Sequence, residues 1–65
     1  MSRQIAIKTL SSLRLNWTLD DYKEAYSDQW EEMPDNIIDC HEAMETFITN
    51  TYDDSLIKQC IIDES

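Results

Sequence analysis

Acidic side chains recur at helical spacing through the middle of this sequence. Four acids follow one another at spacings of three, four and three residues: Asp21, Glu24, Asp28 and Glu31. Asp20 and Glu32 flank this line, and a second line begins a few residues later with Asp35, Asp39, Glu42 and Glu45. Helical neighbours three or four residues apart lie about 5–6 Å from each other. That separation is close to the separation of consecutive phosphates on a nucleic-acid strand, so such a row fits the basic groove of a nucleic-acid-handling protein.

The simpler interpretation of these acids is a solvated helix face. Two observations support a binding function beside it. Like charges four residues apart destabilise a helix by about 0.2–0.5 kcal/mol per pair, and a surface selected only for solubility usually mixes in basic residues. The first acidic line is interrupted only by Lys23, and the second by no base at all. We therefore predict that the acids form a partner-binding surface, with solubility alone as the alternative.

Aromatic residues are concentrated beside the first acidic line. Trp17, Tyr22, Tyr26 and Trp30 fall within 14 residues. Tryptophan and tyrosine are enriched at binding hot spots, but they are also how a small domain buries the most area per residue. We assign these rings mainly to the core. Trp30 is the ring expected at the surface, since two acids and then Pro34 follow it closely.

The residues for metal or catalytic chemistry are poorly arranged. His41 is the only histidine, and its neighbour Cys40 would point about 100° away on a helix, which is poor geometry for sharing a metal. Asp53 and Asp54 lack the glycine and ligand spacing of a calcium loop. A 65-residue helical chain also seldom forms an enclosed pocket. We predict no enzyme activity, no metal and no cofactor.

Composition and charge limit the remaining possibilities. The chain has 65 residues, enough for a single domain spanning 1–65, and 42% of them are apolar, enough for a core. It has no glycine, which argues against tight hairpins and phosphate-binding loops. The net charge is −9, and the first 14 residues contain three bases and no acid. The acidic body disfavours direct binding to nucleic acid or to anionic membrane.

Four segments with helical periodicity must position these residues. The first runs from Ser2 to about Arg14, and the second from residue 19 to 33, with Thr18 as N-cap and Pro34 as its end. The third begins at Pro34-Asp35 and ends near Asn50-Thr51. The fourth begins among Asp53, Asp54 and Ser55 and ends near Asp63. The predicted fold is all-α, with three or four short helices and a central antiparallel pair formed by 19–33 and 35–50.

An alternative fold remains open at this point. The β-branched residues near the start and the apolar run near the end are both short enough to be strands, which would give a β-α-α-β domain. The apolar run, Leu56 to Ile62, is apolar on more than one side, so a small monomer would leave part of it uncovered. This predicts a homodimer.

The sequence therefore predicts a small acidic protein-interaction module. By analogy with small phage and mobile-element proteins, it would mimic nucleic acid and inhibit a protein by occupying its basic surface. The alternative is a homo-oligomeric adaptor or regulatory subunit that binds through apolar and aromatic surface. The start lacks the apolar stretch of a secretory signal, so we expect a cytoplasmic location. The predicted partner-binding residues are Asp20, Asp21, Glu24, Asp28, Trp30, Glu31, Glu32, Asp35, Asp39 and Glu42.

Overall fold

The computed structural model describes residues 2–65. Within them the chain forms four helices: α1 (Arg3–Leu13), α2 (Leu19–Tyr26), α3 (Ile37–Thr51) and α4 (Asp54–Glu64). Residues 2–65 contain no β-strand. The all-α prediction is confirmed, and the β-α-α-β alternative is not supported.

Each helix begins at a side chain that caps it. The N-cap residues are Ser2, Thr18, Asn36 and Asp53, and each accepts a hydrogen bond from the backbone N–H three residues further on. Such caps each stabilise a helix by about 1 kcal/mol, because they satisfy a donor that the helix leaves free. At Thr18 the bond is reciprocated, since Asp21 Oδ2 accepts from the Thr18 backbone N–H at 2.8 Å. The predicted caps at Ser2 and Thr18, and the weak capping box, are confirmed.

The predicted extent of the second helix is wrong. α2 ends at Tyr26 rather than at residue 33, and the backbone N–H groups of Gln29 and Trp30 both donate to the Tyr26 carbonyl at 3.0 Å. A helix continued to residue 33 would carry Asp28, Glu31 and Glu32 in its last turns. The negative end of the helix dipole disfavours carboxylates there. Residues 27–36 instead form an irregular segment, here called the 27–36 connection.

The predicted start of the third helix is also corrected. Asn36, and not Asp35, caps α3. Asn36 Oδ1 accepts from the Asp39 backbone N–H at 2.9 Å, and Asn36 Nδ2 donates to Asp39 Oδ2 at 2.8 Å. An ionised aspartate has no donor and could make only the first of these bonds. The break between the second and third helices is therefore ten residues long instead of a tight turn at Pro34-Asp35.

The core lies where one face of each helix meets the others. Its buried members are Ala6, Ile7, Leu10, Tyr22, Tyr26, Cys40, Met44, Ile48 and Ile57. α4 contributes only Ile57 to this set, so most of the apolar surface of α4 is incompletely covered. Leu56 and Ile62 are 45% and 68% exposed.

Two ion pairs fix α1 against α4 in a parallel orientation. Arg3 at the start of α1 bonds Asp54 at the start of α4, with Nη1 to Oδ1 at 2.8 Å. Arg14, just after α1, bonds Glu64 at the end of α4. Arg3 also donates to the Thr49 and Tyr52 carbonyls at 2.8 and 2.6 Å, which places a cation at the negative end of α3. Two of the three bases near the N-terminus, Arg3 and Arg14, are thus paired with acids of α4.

A polar network surrounds Arg14, whose side chain is buried. Its Nε and Nη2 donate to both Glu64 carboxylate oxygens at 3.0 and 2.8 Å, and Nη1 donates to the Tyr26 hydroxyl at 2.5 Å. The Tyr26 hydroxyl is also 3.1 Å from that of Tyr52. The guanidinium lies 4.3 Å from the centre of the Trp17 ring. Burial alone would lower the pKa of Arg14, but the bonds to Glu64 and Tyr26 raise it above its ordinary value, so Arg14 stays charged.

We expect stability to fall at alkaline pH through Tyr22. Burial, only partly opposed by Arg14, raises the pKa of Tyr22 to about 12 from 10.0. The folded state therefore holds the phenol proton more tightly than the unfolded state, so this contribution is intact below pH 10 and is lost between pH 10 and about 12. Urea unfolding across this range should show the loss. The Tyr22→Phe variant should lose less over the same interval, and an equal loss in both proteins would contradict the assignment.

Candidate protein-binding groove

A concave surface lies between the 27–36 connection and α3. It is an open groove of about 680 Å³. Trp30 and Phe47 supply its aromatic lining, and four acids line it as well: Glu31, Glu32, Asp39 and Glu42. The remaining lining residues are small or uncharged: Gln29, Ala43, Thr46, Asn50 and Thr51. We call this surface the acidic groove.

The aromatic part of the acidic groove is held by stacking. The Trp30 ring lies almost flat on buried Tyr26, with centroids 4.7 Å apart and planes 6° from parallel. Phe47 meets Trp30 edge-on at 6.1 Å and Tyr26 edge-on at 5.5 Å. Offset-stacked and edge-to-face pairs are favourable for aromatic rings. Trp30 and Phe47 are both half-buried, and both are held in position by the buried ring of Tyr26 beneath them.

Trp30 carries a buried donor that is not satisfied. Its Nε1 is buried and has no hydrogen-bond partner within residues 2–65. An unpaired buried donor costs about 1–3 kcal/mol. Sequence placed Trp30 near the surface, and the ring is in fact half-buried with one edge in the groove.

We expect Trp30→Phe to leave the fold largely intact. The variant loses part of the stacked area but also removes the unsatisfied donor, so the two effects should offset each other to within about 1 kcal/mol. Chemical denaturation measures the difference. A loss of several kcal/mol would mean that the lost stacking outweighs the removal of the donor.

The predicted binding residues divide into two groups. Trp30, Glu31, Glu32, Asp39 and Glu42 line the acidic groove. The others lie outside it: Asp20, Asp21, Glu24, Asp28 and Asp35. All nine of these carboxylates are exposed. The structure therefore brings together half of the predicted site.

The predicted unbroken acidic line on the second helix is wrong. Because α2 ends at Tyr26, only Asp21 and Glu24 of that line are on the helix, while Asp28 and Glu31 lie in the 27–36 connection. Asp21 is also engaged in capping α2. On α3 the spacing of Asp39, Glu42 and Glu45 is retained on one continuous helix. Glu31 and Glu32 of the connection line the groove together with Asp39 and Glu42 of α3 rather than extending in a second parallel row.

The electrostatic environment of the acidic groove is uniformly negative. The sequence has no lysine or arginine between Lys23 and Lys58, and ten acids lie in that interval. Of the ten, Asp54 is the one paired with a base among the described residues. No groove-lining residue is basic. A positive side chain entering the groove would meet several carboxylates and no competing internal cation.

Sequence reasoning missed part of this groove. The predicted site did not include Ala43, Thr46, Phe47 and Asn50, which line the groove on α3. The available signal was the i, i+4 row Ala43, Phe47 and Thr51 beside Thr46 and Asn50, which gives α3 an uncharged strip.

The histidine and the cysteines are occupied in packing. His41 Nδ1 lies 2.6 Å from the Tyr22 hydroxyl, and the Cys40 thiol donates weakly to the Pro34 carbonyl at 3.7 Å. Cys40 and Cys60 are both free, and burial raises the pKa of each thiol, which keeps them protonated and poorly nucleophilic. Within residues 2–65 no three His, Cys, Asp or Glu side chains are grouped closely enough to hold a metal ion. None of the helices described is both long and apolar enough to span a bilayer.

Comparison of the chain with models of known protein families, with curated proteins and with solved structures gives no match.

Proposed function

We propose that this protein is a small acidic interaction module that inhibits a nucleic-acid-handling protein by occupying its basic surface. The observation that carries the proposal is the acidic groove, in which four exposed carboxylates surround an aromatic lining without any base. Its charge pattern is complementary to a surface that binds phosphates. Competition with nucleic acid would be both steric and electrostatic.

The combination of rings and acids favours a protein partner. A nucleic-acid strand or an anionic membrane would be repelled by ten acids without a base between Lys23 and Lys58. A basic protein surface gains association rate from this field and gains affinity from apolar contact with Trp30 and Phe47. The acids then supply steering and the rings supply the anchor.

Affinity capture at two salt concentrations tests the proposal. The tagged chain is incubated with a lysate of its native host at low and at high salt, and the retained proteins are identified by mass spectrometry. The complex of the tagged chain with the purified partner is then mixed with a DNA or RNA duplex, and release of the partner is measured. We expect the principal partner to be lost at high salt and displaced by nucleic acid. A partner retained in molar salt and indifferent to nucleic acid would contradict the proposal.

A second function is supported by a different surface. Leu56 and Ile62 are exposed on α4, and Ile5 is 56% exposed on the neighbouring α1. Such apolar side chains favour a homo-oligomeric adaptor or regulatory subunit, with the acids serving solubility. This alternative predicts a mass in light scattering that rises with concentration. It also predicts that Ile62→Asp, and not neutralisation of the acids, abolishes partner binding.

A further inference from the structure

We propose that the acidic groove receives an amphipathic helix of the partner, lying antiparallel to α3, with an apolar anchor over Trp30 and Phe47 and with lysine or arginine one and two turns after that anchor. This inference rests on the proposed function and specifies the part of the partner that is bound.

The acidic groove is chemically different at its two ends. Along α3, Asp39 and Glu42 lie in the first two turns, whereas Thr46, Asn50 and Thr51 lie in the last two. With a rise of about 1.5 Å per residue, Glu42 is about 7 Å and Asp39 about 12 Å from Phe47 along the helix axis. A ligand anchored at Phe47 therefore meets carboxylates about one and two helical turns away, toward the start of α3.

The shape and the backbone of the groove favour a helical ligand. The α3 wall extends from Asp39 to Thr51, about 18 Å, which is the length of three helical turns. A β-strand ligand would need an unpaired strand edge, and residues 2–65 contain no strand. An amphipathic helix in a groove presents side chains at i, i+4 and i+7 or i+8. Relative to an anchor at i, the later positions lie about 6 Å and about 10–12 Å along the helix axis, close to the axial distances of Glu42 and Asp39 from Phe47.

The helix dipole gives the direction. Basic residues stabilise a helix when they lie near its C-terminal end. Asp39 and Glu42 line the part of the groove beside the start of α3. A partner helix antiparallel to α3 has its C-terminal half there, so its lysines or arginines face the acids and stabilise their own helix at the same time. The recognised pattern is an apolar residue with bases at i+4 and at i+7 or i+8.

A second copy of this chain does not fit the groove. Each copy carries a net charge of −9, so two copies repel each other. Arg3 and Arg14 are engaged in ion pairs. The remaining bases, Lys8, Lys23 and Lys58, lie on three different helices. No helix of the described chain offers an apolar anchor followed by two available bases.

Three synthetic helical peptides of about four turns test the proposal by calorimetry. The forward peptide has leucine with lysine at i+4 and i+8. The reversed peptide has the same composition with lysine at i−4 and i−8, and the third replaces the i+4 lysine by glutamine. Each is titrated into the wild-type chain, Glu42→Gln and Glu24→Gln. Glu24 is the matched control, since it is an exposed glutamate on α2 outside the groove.

We expect the forward peptide to bind about tenfold more tightly than the reversed and the glutamine peptides. Glu42→Gln should remove that advantage over the glutamine peptide, whereas Glu24→Gln should retain it, because only Glu42 faces the i+4 lysine. Equal binding of forward and reversed peptides would overturn the inferred direction and leave the proposed function standing. If all three peptides bound equally and independently of salt, both the inferred helical ligand and the proposed function would be overturned. Failure of every peptide to bind, alongside salt-sensitive capture of a host partner, would overturn this inference alone.

Discussion

Replacing Arg14 by methionine should lower the free energy of unfolding by about 3 kcal/mol, because it breaks a buried ion pair and leaves its partners without their donor. Arg14 supplies two hydrogen bonds to Glu64 and one to Tyr26, and it is only 4% exposed. Glu64 is 22% exposed as a side chain, and its hydration places the cost at the low end for a buried pair. A domain of this size has a total stability of only about 3–10 kcal/mol. Thermal or urea unfolding should therefore show a largely destabilised protein.

Arg3→Met is the matched control for Arg14→Met. Arg3 also joins α1 to α4, but its side chain is 36% exposed and that of Asp54 is 69% exposed. Exposed ion pairs contribute about 0–1 kcal/mol, and the bonds from Arg3 to the end of α3 add a comparable amount. The loss in Arg3→Met should be clearly smaller. If the two variants were equally stable, the buried network would not be the main polar support of the fold.

Neutralising two acids of the acidic groove should weaken binding of the captured partner about tenfold, since each carboxylate facing a base contributes on the order of 0.5–1 kcal/mol. Glu31→Gln combined with Glu42→Gln changes two exposed side chains that line the groove. The loss should fall largely on the association rate constant and should shrink as salt is added, because steering depends on unscreened charge. Surface plasmon resonance at several salt concentrations measures both effects.

Glu24→Gln combined with Asp28→Asn is the control that separates two models of the acidic surface. These two acids are also exposed, and the variant changes the net charge by the same amount, but neither side chain lines the groove. If the groove binds the partner, this variant should keep its affinity within about twofold, the size of a long-range charge effect. Equal losses in the two variants would mean that total charge, and not the groove, determines binding.

Local sequence signals were sufficient for the starts of α1 and α2. Ser2 and Thr18 cap helices because their hydroxyls suit the free N–H groups of the first turn, and the reciprocal bond of Asp21 follows from its spacing to Thr18. The four helices followed from apolar periodicity. Such features depend on neighbours within a few residues, so they can be inferred without knowledge of the tertiary fold.

The end of α2 depended on tertiary contacts and was missed. The periodicity of Tyr22, Tyr26, Trp30 and Met33 is helical in sequence, yet the helix stops at Tyr26. The Trp30 ring can then stack on Tyr26 and meet Phe47 of α3. The sequence of residues 19–33 carries no information about the contact with Phe47, so periodicity alone predicted too long a helix. Because the helix was predicted to continue to residue 33, its acids were predicted to form a straight line instead of lining a groove.

The ion pairs that unite the chain ends were also beyond sequence reasoning. Arg3 and Asp54 are separated by 51 positions, and Arg14 and Glu64 by 50. Charge counting identified a basic start and an acidic remainder but could not pair them. Because α1 and α4 are parallel, the two bases meet two acids at matching ends. Arg3 and Arg14 therefore stabilise the fold, and the acids that line the groove have no base beside them.

Amide chemical-shift mapping directly locates the surface that binds the partner, which we propose to be the acidic groove. The isotope-labelled chain is titrated with the purified partner, and the perturbed backbone amides are located. We predict that perturbations concentrate in residues 29–32 and along α3 from Asp39 to Thr51, with α4 and the exposed side of α1 unchanged. Perturbations centred on Leu56 and Ile62 of α4, with the groove silent, would contradict the claim.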